Sequence, residues 1–224
     1  NAIEIVVSQI GKDGVITNER VTTIIQQNLS IYDKKGEMHY DIISAFIKST
    51  RGSDPNAAVY WLARMIASGE DPLFIARRML ILASEDIGIA NPNALLIANT
   101  CFEAVNKIGY PECRIILSQT AVYLATSPKS NSTYLAIDTA LELIRKTGDL
   151  PVPLHLRNSP TKLMKEIGYG DNYHYAHSYE NNFVPMQFLP DGLLGTKLYE
   201  PANNPKEKEI LKSLSIMWKD YYNY

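Results

Sequence analysis

Three groups of side chains in this chain have the types and spacing for chemistry. His174, His177 and Glu180 stand at i, i+3 and i+6, which on a helix sets them on roughly one side. Such a set holds zinc only with a fourth ligand and hydrogen-bonded support behind the rings, and histidines packed among tyrosines in an irregular segment fit the pattern better. No zinc site is expected. Glu85 and Asp86 follow Arg77 and Arg78 at helical spacing, and paired carboxylates beside cations suggest acid–base work. The simpler reading is ion pairing that fixes helix packing or a subunit contact. Ser127, Ser130 and Ser132 have no histidine in a triad arrangement, so nothing supports a serine nucleophile. Cys101 and Cys113 fall in neighbouring predicted helices and read as buried small apolar side chains with no chemical role.

Six basic residues are the remaining candidates, as contacts to DNA or phosphate. Lys48 and Arg51 end one helix, Lys129 lies in a loop with Ser127 and Ser130, and Arg157, Lys162 and Lys165 flank the segment from Leu154 to Gly170. A helix beginning at Thr161 beside two lysines offers unpaired N–H groups to an anion. The chain as a whole bears a net charge of −2, whereas proteins that hold DNA alone usually show a basic excess. Any DNA contact is therefore a local patch.

Positioning those side chains falls to helices. Hydrophobic residues make up 46% of the 224, enough for one sizeable core or two small ones. No apolar run approaches the ~20 residues that span a bilayer, and no signal-peptide pattern stands at the start, so a cytoplasmic setting is expected. Asp54-Pro55, Asp71-Pro72, Asn91-Pro92 and Ser159-Pro160 each read as a cap followed by proline in the first turn. Gly69, Gly88, Gly109, Gly148 and Gly168 close the matching helices. This predicts helices near 40–51, 55–68, 72–86, 92–108, 111–126 and 131–147, with Ala58, Val59, Leu62, Ala63 and Ile66 forming the apolar face of the second. The fold class is all-α, a compact helical bundle.

The ends read differently. Residues 2–9 and 18–28 predict two helices around a turn at 11–14, and residues 32–37 form a charged linker. After Gly148, seven prolines and many tyrosines predict an extended arm, with one helix at 160–167 and a short strand pair near 183–199. A last helix over 206–221 carries Ile210, Leu211, Leu214, Met217 and Trp218 on one face.

The block Arg51-Gly52-Ser53-Asp54-Pro55 leading into Ala57-Ala58-Val59-Tyr60-Trp61-Leu62-Ala63-Arg64-Met65 resembles the C-terminal region of the family of replication-associated recombination protein A. This is the RarA/MgsA family of AAA+ ATPases, related to the Werner helicase-interacting protein. Further blocks follow in the family's order: Ala83-Ser84-Glu85-Asp86-Ile87-Gly88, Ala125-Thr126-Ser127-Pro128-Lys129-Ser130-Asn131, Leu150-Pro151-Val152-Pro153-Leu154-His155-Leu156-Arg157-Asn158 and Tyr175-Ala176-His177. They cover roughly residues 30–200.

The resemblance implies three parts: a remnant of the AAA+ lid at 1–30, a helical oligomerisation domain similar to a clamp-loader collar at 31–148, and a proline- and tyrosine-rich arm at 149–224. No G-x-x-x-x-G-K-[ST] loop or acidic Walker strand is present, so the chain reads as a fragment, itself neither an enzyme nor a cofactor binder. ATP and magnesium belong to the parent ATPase domain. By the same resemblance the parent is a DNA-stimulated ATPase of replication, recombination and repair, a homotetramer assembled through this region. Its partners would be DNA through the full-length protein and single-strand DNA-binding protein, in a bacterial cytoplasm at the nucleoid, with no membrane. Two other classes compete: an independent nucleic-acid-binding module built on the arm and basic loops, and an enzyme using His174 and His177.

Overall fold

The computed structural model describes Ile10, residues 15–24 and residues 37–224. Helices are α1 (residues 18–24), α2 (Glu37–Arg51), α3 (Pro55–Ala67), α4 (Pro72–Leu82), α5 (Asn93–Ile108), α6 (Cys113–Thr126), α7 (Ser132–Thr147), α8 (Lys162–Glu166) and α9 (Pro205–Tyr222). No strand occurs among the described residues. The expected helix over 2–9, its turn at 11–14, residues 25–28 of the expected helix over 18–28, and residues 32–36 of the expected linker lie outside the described residues. Contacts divide the chain into two compact units, Asn1–Lys129 and Ser130–Tyr224.

In the first unit the sequence punctuation acts as expected at two helix starts. The Asp54 carboxylate accepts the N–H groups of Asn56 (3.0 Å) and Ala57 (2.9 Å), and that of Asp71 accepts those of Leu73 (3.0 Å) and Phe74 (3.1 Å). Pro55 and Pro72 occupy the first turns, where their missing donors cost nothing. Asn91 departs from expectation. Its side chain turns away from α5 and donates to the Tyr123 hydroxyl (3.0 Å) and Ser127 Oγ (3.1 Å), tying the loop to the end of α6. Gly69 (φ 72°) and Gly109 (φ 67°) take the left-handed backbone that ends α3 and α5, a conformation a side chain would strain.

Helix α6 is the hub, packed against α2, α3, α4 and α5. Cys113, Leu117, Thr120, Ala121, Leu124 and Ala125 recur at helical spacing and are all buried, so α6 presents a continuous apolar stripe to its neighbours. Phe46, Leu62, Ile75, Met79, Leu82 and Ile87 close over it, each fully buried side chain contributing about 1.5–3 kcal/mol. The buried face of α3 is Ala58, Leu62 and Met65, rotated from the expected one, and Ala63 is exposed.

The expected helix over 72–86 ends its α geometry at Leu82. Ala83–Ile87 form a π turn and Gly88–Ala90 a 3₁₀ turn. The wider turn brings Asp86 inward to Arg51, a site-specific use such bulges often serve.

The second unit is α7 and α9 joined by the arm. It has 3₁₀ turns at Leu154–Leu156, Ala176–Ser178, Glu180–Asn182 and Asp191–Leu193, and where a strand pair is expected near 183–199 the chain is irregular apart from the last of these. Pro185 and Pro190 have no N–H to give a ladder, and the Leu193 N–H bonds back to the Pro190 carbonyl (2.8 Å). Thr161, not Ser159, caps α8. The arm meets α9 through aromatic edges: Phe183 and Phe188 pack edge to face on Trp218 at ring distances of 5.1 and 6.2 Å, with Tyr221 and Tyr222 of the same helix beside it. Ile210, Leu211 and Leu214 are half-buried on that helix, while Met217 is exposed.

Candidate functional site

Three of the six candidate basic residues are tied into the fold. Arg51, at the last turn of α2, places Nε 2.5 Å from the buried Asp86 carboxylate and Nη2 3.3 Å from Glu85. The charges singled out as possible acid–base partners are thus an ion-paired strut between α2 and the π turn, and Arg77 pairs instead with Asp71 (3.2 Å).

Lys129 folds back over the end of α6. Its ammonium donates to the carbonyls of Leu124 (3.1 Å), Ala125 (2.9 Å) and Ser127 (2.5 Å) and to Ser53 Oγ (3.1 Å). These include carbonyls a helix end leaves unpaired, at its negative pole. Burial holds the ammonium below the usual lysine range, and the Asp86 charge partly offsets this.

Arg157 stacks over the Tyr169 ring (5.0 Å) and donates to the Val152 carbonyl (2.7 Å) and the Tyr169 hydroxyl (3.0 Å). Lys48, Lys162 and Lys165 are exposed. The start of α8 is capped by its own Thr161, which accepts the Met164 N–H (3.3 Å). Lys48 belongs to the first unit and Lys162 and Lys165 to the second.

No single helix carries the set: His174 lies in irregular chain, His177 on the 3₁₀ turn Ala176–Ser178 and Glu180 on the next, Glu180–Asn182. His174 Nδ1 meets the Tyr179 hydroxyl (2.5 Å) and His177 Nδ1 meets Asn182 Oδ1 (3.2 Å). Cys101 and Cys113 are buried, Cys101 Sγ lying 4.0 Å from the Ile116 carbonyl, and burial raises both thiols.

One group escaped the sequence reading. Glu207 in the first turn of α9 is fully buried and accepts hydrogen bonds from Ser132, Tyr199 (3.0 Å) and Asn204 (2.5 Å), while its own N–H donates to Asn204 Oδ1 (3.0 Å). Burial alone would raise this carboxyl, but bonds from Ser130, Ser132 and Asn204 outweigh it and hold it at about 2. Its signal was legible: Asn204-Pro205-Lys206-Glu207 has the spacing of a capping box with proline at the first helical position.

Apolar side chains also face outward. On α7, Tyr134, Ile137, Leu141 and Ile144 are 43%, 56%, 44% and 52% exposed. Their spacing of three, four and three residues is that of a two-helix seam. In the first unit, Leu95 and Leu96 of α5 and Ile115 and Val122 of α6 are exposed as well.

The family described as MgsA AAA+ ATPase C terminal matches residues 52–218, three quarters of the chain. The chain belongs to the RarA/MgsA family of AAA+ ATPases, as a C-terminal region. A second family, described as AAA C-terminal domain, matches residues 1–51. Replication-associated recombination protein A of Escherichia coli K12 is 44% identical over 202 residues, covering 90% of this chain and 45% of that protein. The protein of the same description from Bacillus subtilis is 43% identical over 220 residues, covering 96% and 52%. ATPase WRNIP1 of Dictyostelium discoideum is 44% identical over 194 residues, covering 86% and 22%. The chain spans about half or less of the length of these relatives.

No G-x-x-x-x-G-K-[ST] loop occurs in the 224-residue sequence, and the described residues hold no group of three His, Cys, Asp or Glu side chains placed to bind a metal. No described helix is long and apolar enough to cross a membrane.

Proposed function

We propose that this C-terminal region holds copies of a RarA-like ATPase together as a homotetramer, so that ATP hydrolysis in an N-terminal motor is coupled among subunits acting on DNA in replication and repair. The observation that carries this reading is the apolar stripe of α7. Ile137, Leu141 and Ile144 are half uncovered, and an exposed apolar face of that spacing on a helix supports a contact with another copy. Leu95, Leu96, Ile115 and Val122 supply a second apolar area in the other unit. Closed tetramers with two-fold axes need two kinds of contact, and obligate interfaces bury on the order of 2,000 Å² or more in total.

In this reading ATP and magnesium are bound by the motor, as the AAA+ family assignment implies. The parent works in the bacterial cytoplasm at the nucleoid, with DNA and single-strand DNA-binding protein as partners. The three-part division, with a lid remnant over 1–30, an assembly bundle over 31–148 and an arm over 149–224, is part of the same proposal. Of the six basic candidates, Lys48, Lys162 and Lys165 remain as phosphate contacts of the assembled protein, because the other three cations already serve the fold. Light scattering on the purified chain tests the proposal: a mass of four chains supports it, and a monomer at tens of micromolar overturns it.

A further inference from the structure

We infer that the arm carries a cleft for an unpaired nucleobase of a DNA strand, walled by Tyr173 and Phe188 and edged by Arg157, Asn158 and Ser159. The cleft measures about 430 Å³, within the range of sites that accept small planar ligands, and His155 completes its lining. Tyr173 and Phe188 remain 48% and 46% exposed, so each offers ring surface. Base stacking on such rings is tolerant of sequence.

The walls are braced from behind. Phe188 meets Trp218 of α9 edge to face at 6.2 Å, and Arg157 is locked by its bonds to Val152 and Tyr169 and its stack on the Tyr169 ring. These contacts use Nε and Nη1 of the guanidinium, leaving Nη2 as a donor. The floor passes beneath Gly170 (φ 80°), where a Cβ would meet the Arg157 carbonyl at 3.4 Å and Ser159 Oγ at 3.8 Å. The Asn158 amide makes no hydrogen bond to the described protein and is exposed at the cleft, where its donor and acceptor match a base edge.

Charge points to the same ligand. Residues 150–165 contain Arg157, Lys162 and Lys165 and no carboxylate, and both lysines are exposed. Asp171 lines a neighbouring hollow with His174. An aromatic cleft with a guanidinium at its edge favours a base that carries a phosphate, and Lys162 and Lys165 follow Arg157 in the same stretch of sequence. A simple docking site for an apolar peptide would not need the Arg157 charge.

The test is fluorescence anisotropy of the 224-residue chain with a labelled oligothymidylate of about 20 nucleotides, an abasic strand of equal length, and free thymidine monophosphate as competitor. Tyr173→Ala should weaken oligothymidylate binding about ten-fold, and Tyr173→Phe, which keeps the ring, should stay within about two-fold of the parent. The abasic strand should bind weakly and equally to both variants. Circular dichroism checks that each variant keeps its helices, and Asn158→Ala, at an exposed position, gives a second reduction without disturbing the Trp218 cluster. Abasic and thymidine strands bound equally, or an oligothymidylate affinity unmoved by Tyr173→Ala, would overturn the assignment. So would a free mononucleotide that competes as tightly as the strand. The cleft lies within one chain, so a monomeric protein would contradict the assembly proposal and leave this one standing.

Discussion

Ser132, in the first turn of α7, donates its hydroxyl to the carboxylate of Glu207, 75 residues later in the first turn of α9. Both groups are buried, and Ser130, Asn204 and Tyr199 complete the network. One charge, held by hydrogen bonds from three side chains, thereby fixes the last helix of the second unit to its first.

That network predicts an acid sensitivity. Glu207 titrates at about 2 in the fold against an ordinary value of 4.5, so its contribution is fully present above the ordinary value and is lost as pH falls from there through about 2. The displacement corresponds to on the order of 3 kcal/mol. Denaturant unfolding followed at Trp218 should show stability falling across that window. Glu207→Gln should be less stable at neutral pH and lose much of the slope.

Lys129 should behave as a structural cation. Lys129→Met leaves carbonyls of the α6 end without their donor and should cost about 1–3 kcal/mol, read as a lowered unfolding midpoint. Its effect on DNA affinity at fixed salt should be smaller than that of Lys162→Ala with Lys165→Ala. The opposite ranking would restore Lys129 as a phosphate contact.

Arg51 and Asp86 should show strong coupling in a double-mutant cycle. Removing Arg51 strands a buried carboxylate, so Arg51→Ala should destabilise by about 2 kcal/mol or more, and Arg51→Ala with Asp86→Ala by less than the sum of the singles. Thermal unfolding of the four proteins measures it.

How far the sequence revealed this molecule depended on whether a signal was local. Asp54-Pro55, Asp71-Pro72 and the glycines at helix ends act within one turn, and the helices from α2 to α7 lie close to where those residues placed them. Thr161 replaced Ser159 as a cap because proline stands between them, one residue too early for the helix that forms. The π turn was invisible, since Ala83-Ser84-Glu85-Asp86 fits an α pattern and the pairing of Asp86 with Arg51 spans 35 residues of sequence. The fates of Arg51, Lys129 and Arg157 were hidden for the same reason: an exposed phosphate-seeking cation and a cation bonded to carbonyls or carboxylates look alike in one dimension. The cleft at Tyr173 and Phe188 joins residues from three stretches of the arm that no periodicity connects.

The stripe on α7 predicts where assembly breaks. Ile137→Asp or Leu141→Asp introduces a charge that is solvated in a separated chain but desolvated in a seam, so either should dissociate the assembly while circular dichroism stays helical. Substituting Asp at Thr139, exposed on the opposite side of the same helix, should leave the mass unchanged.

The central claim, that this region joins copies of its parent ATPase, is tested most directly by multi-angle light scattering of the chain from tens of micromolar down to low micromolar. A mass of four chains that persists on dilution and falls for Leu141→Asp is the predicted result. A single-chain mass across the whole range, with α7 folded and its apolar stripe still open to water, would contradict it.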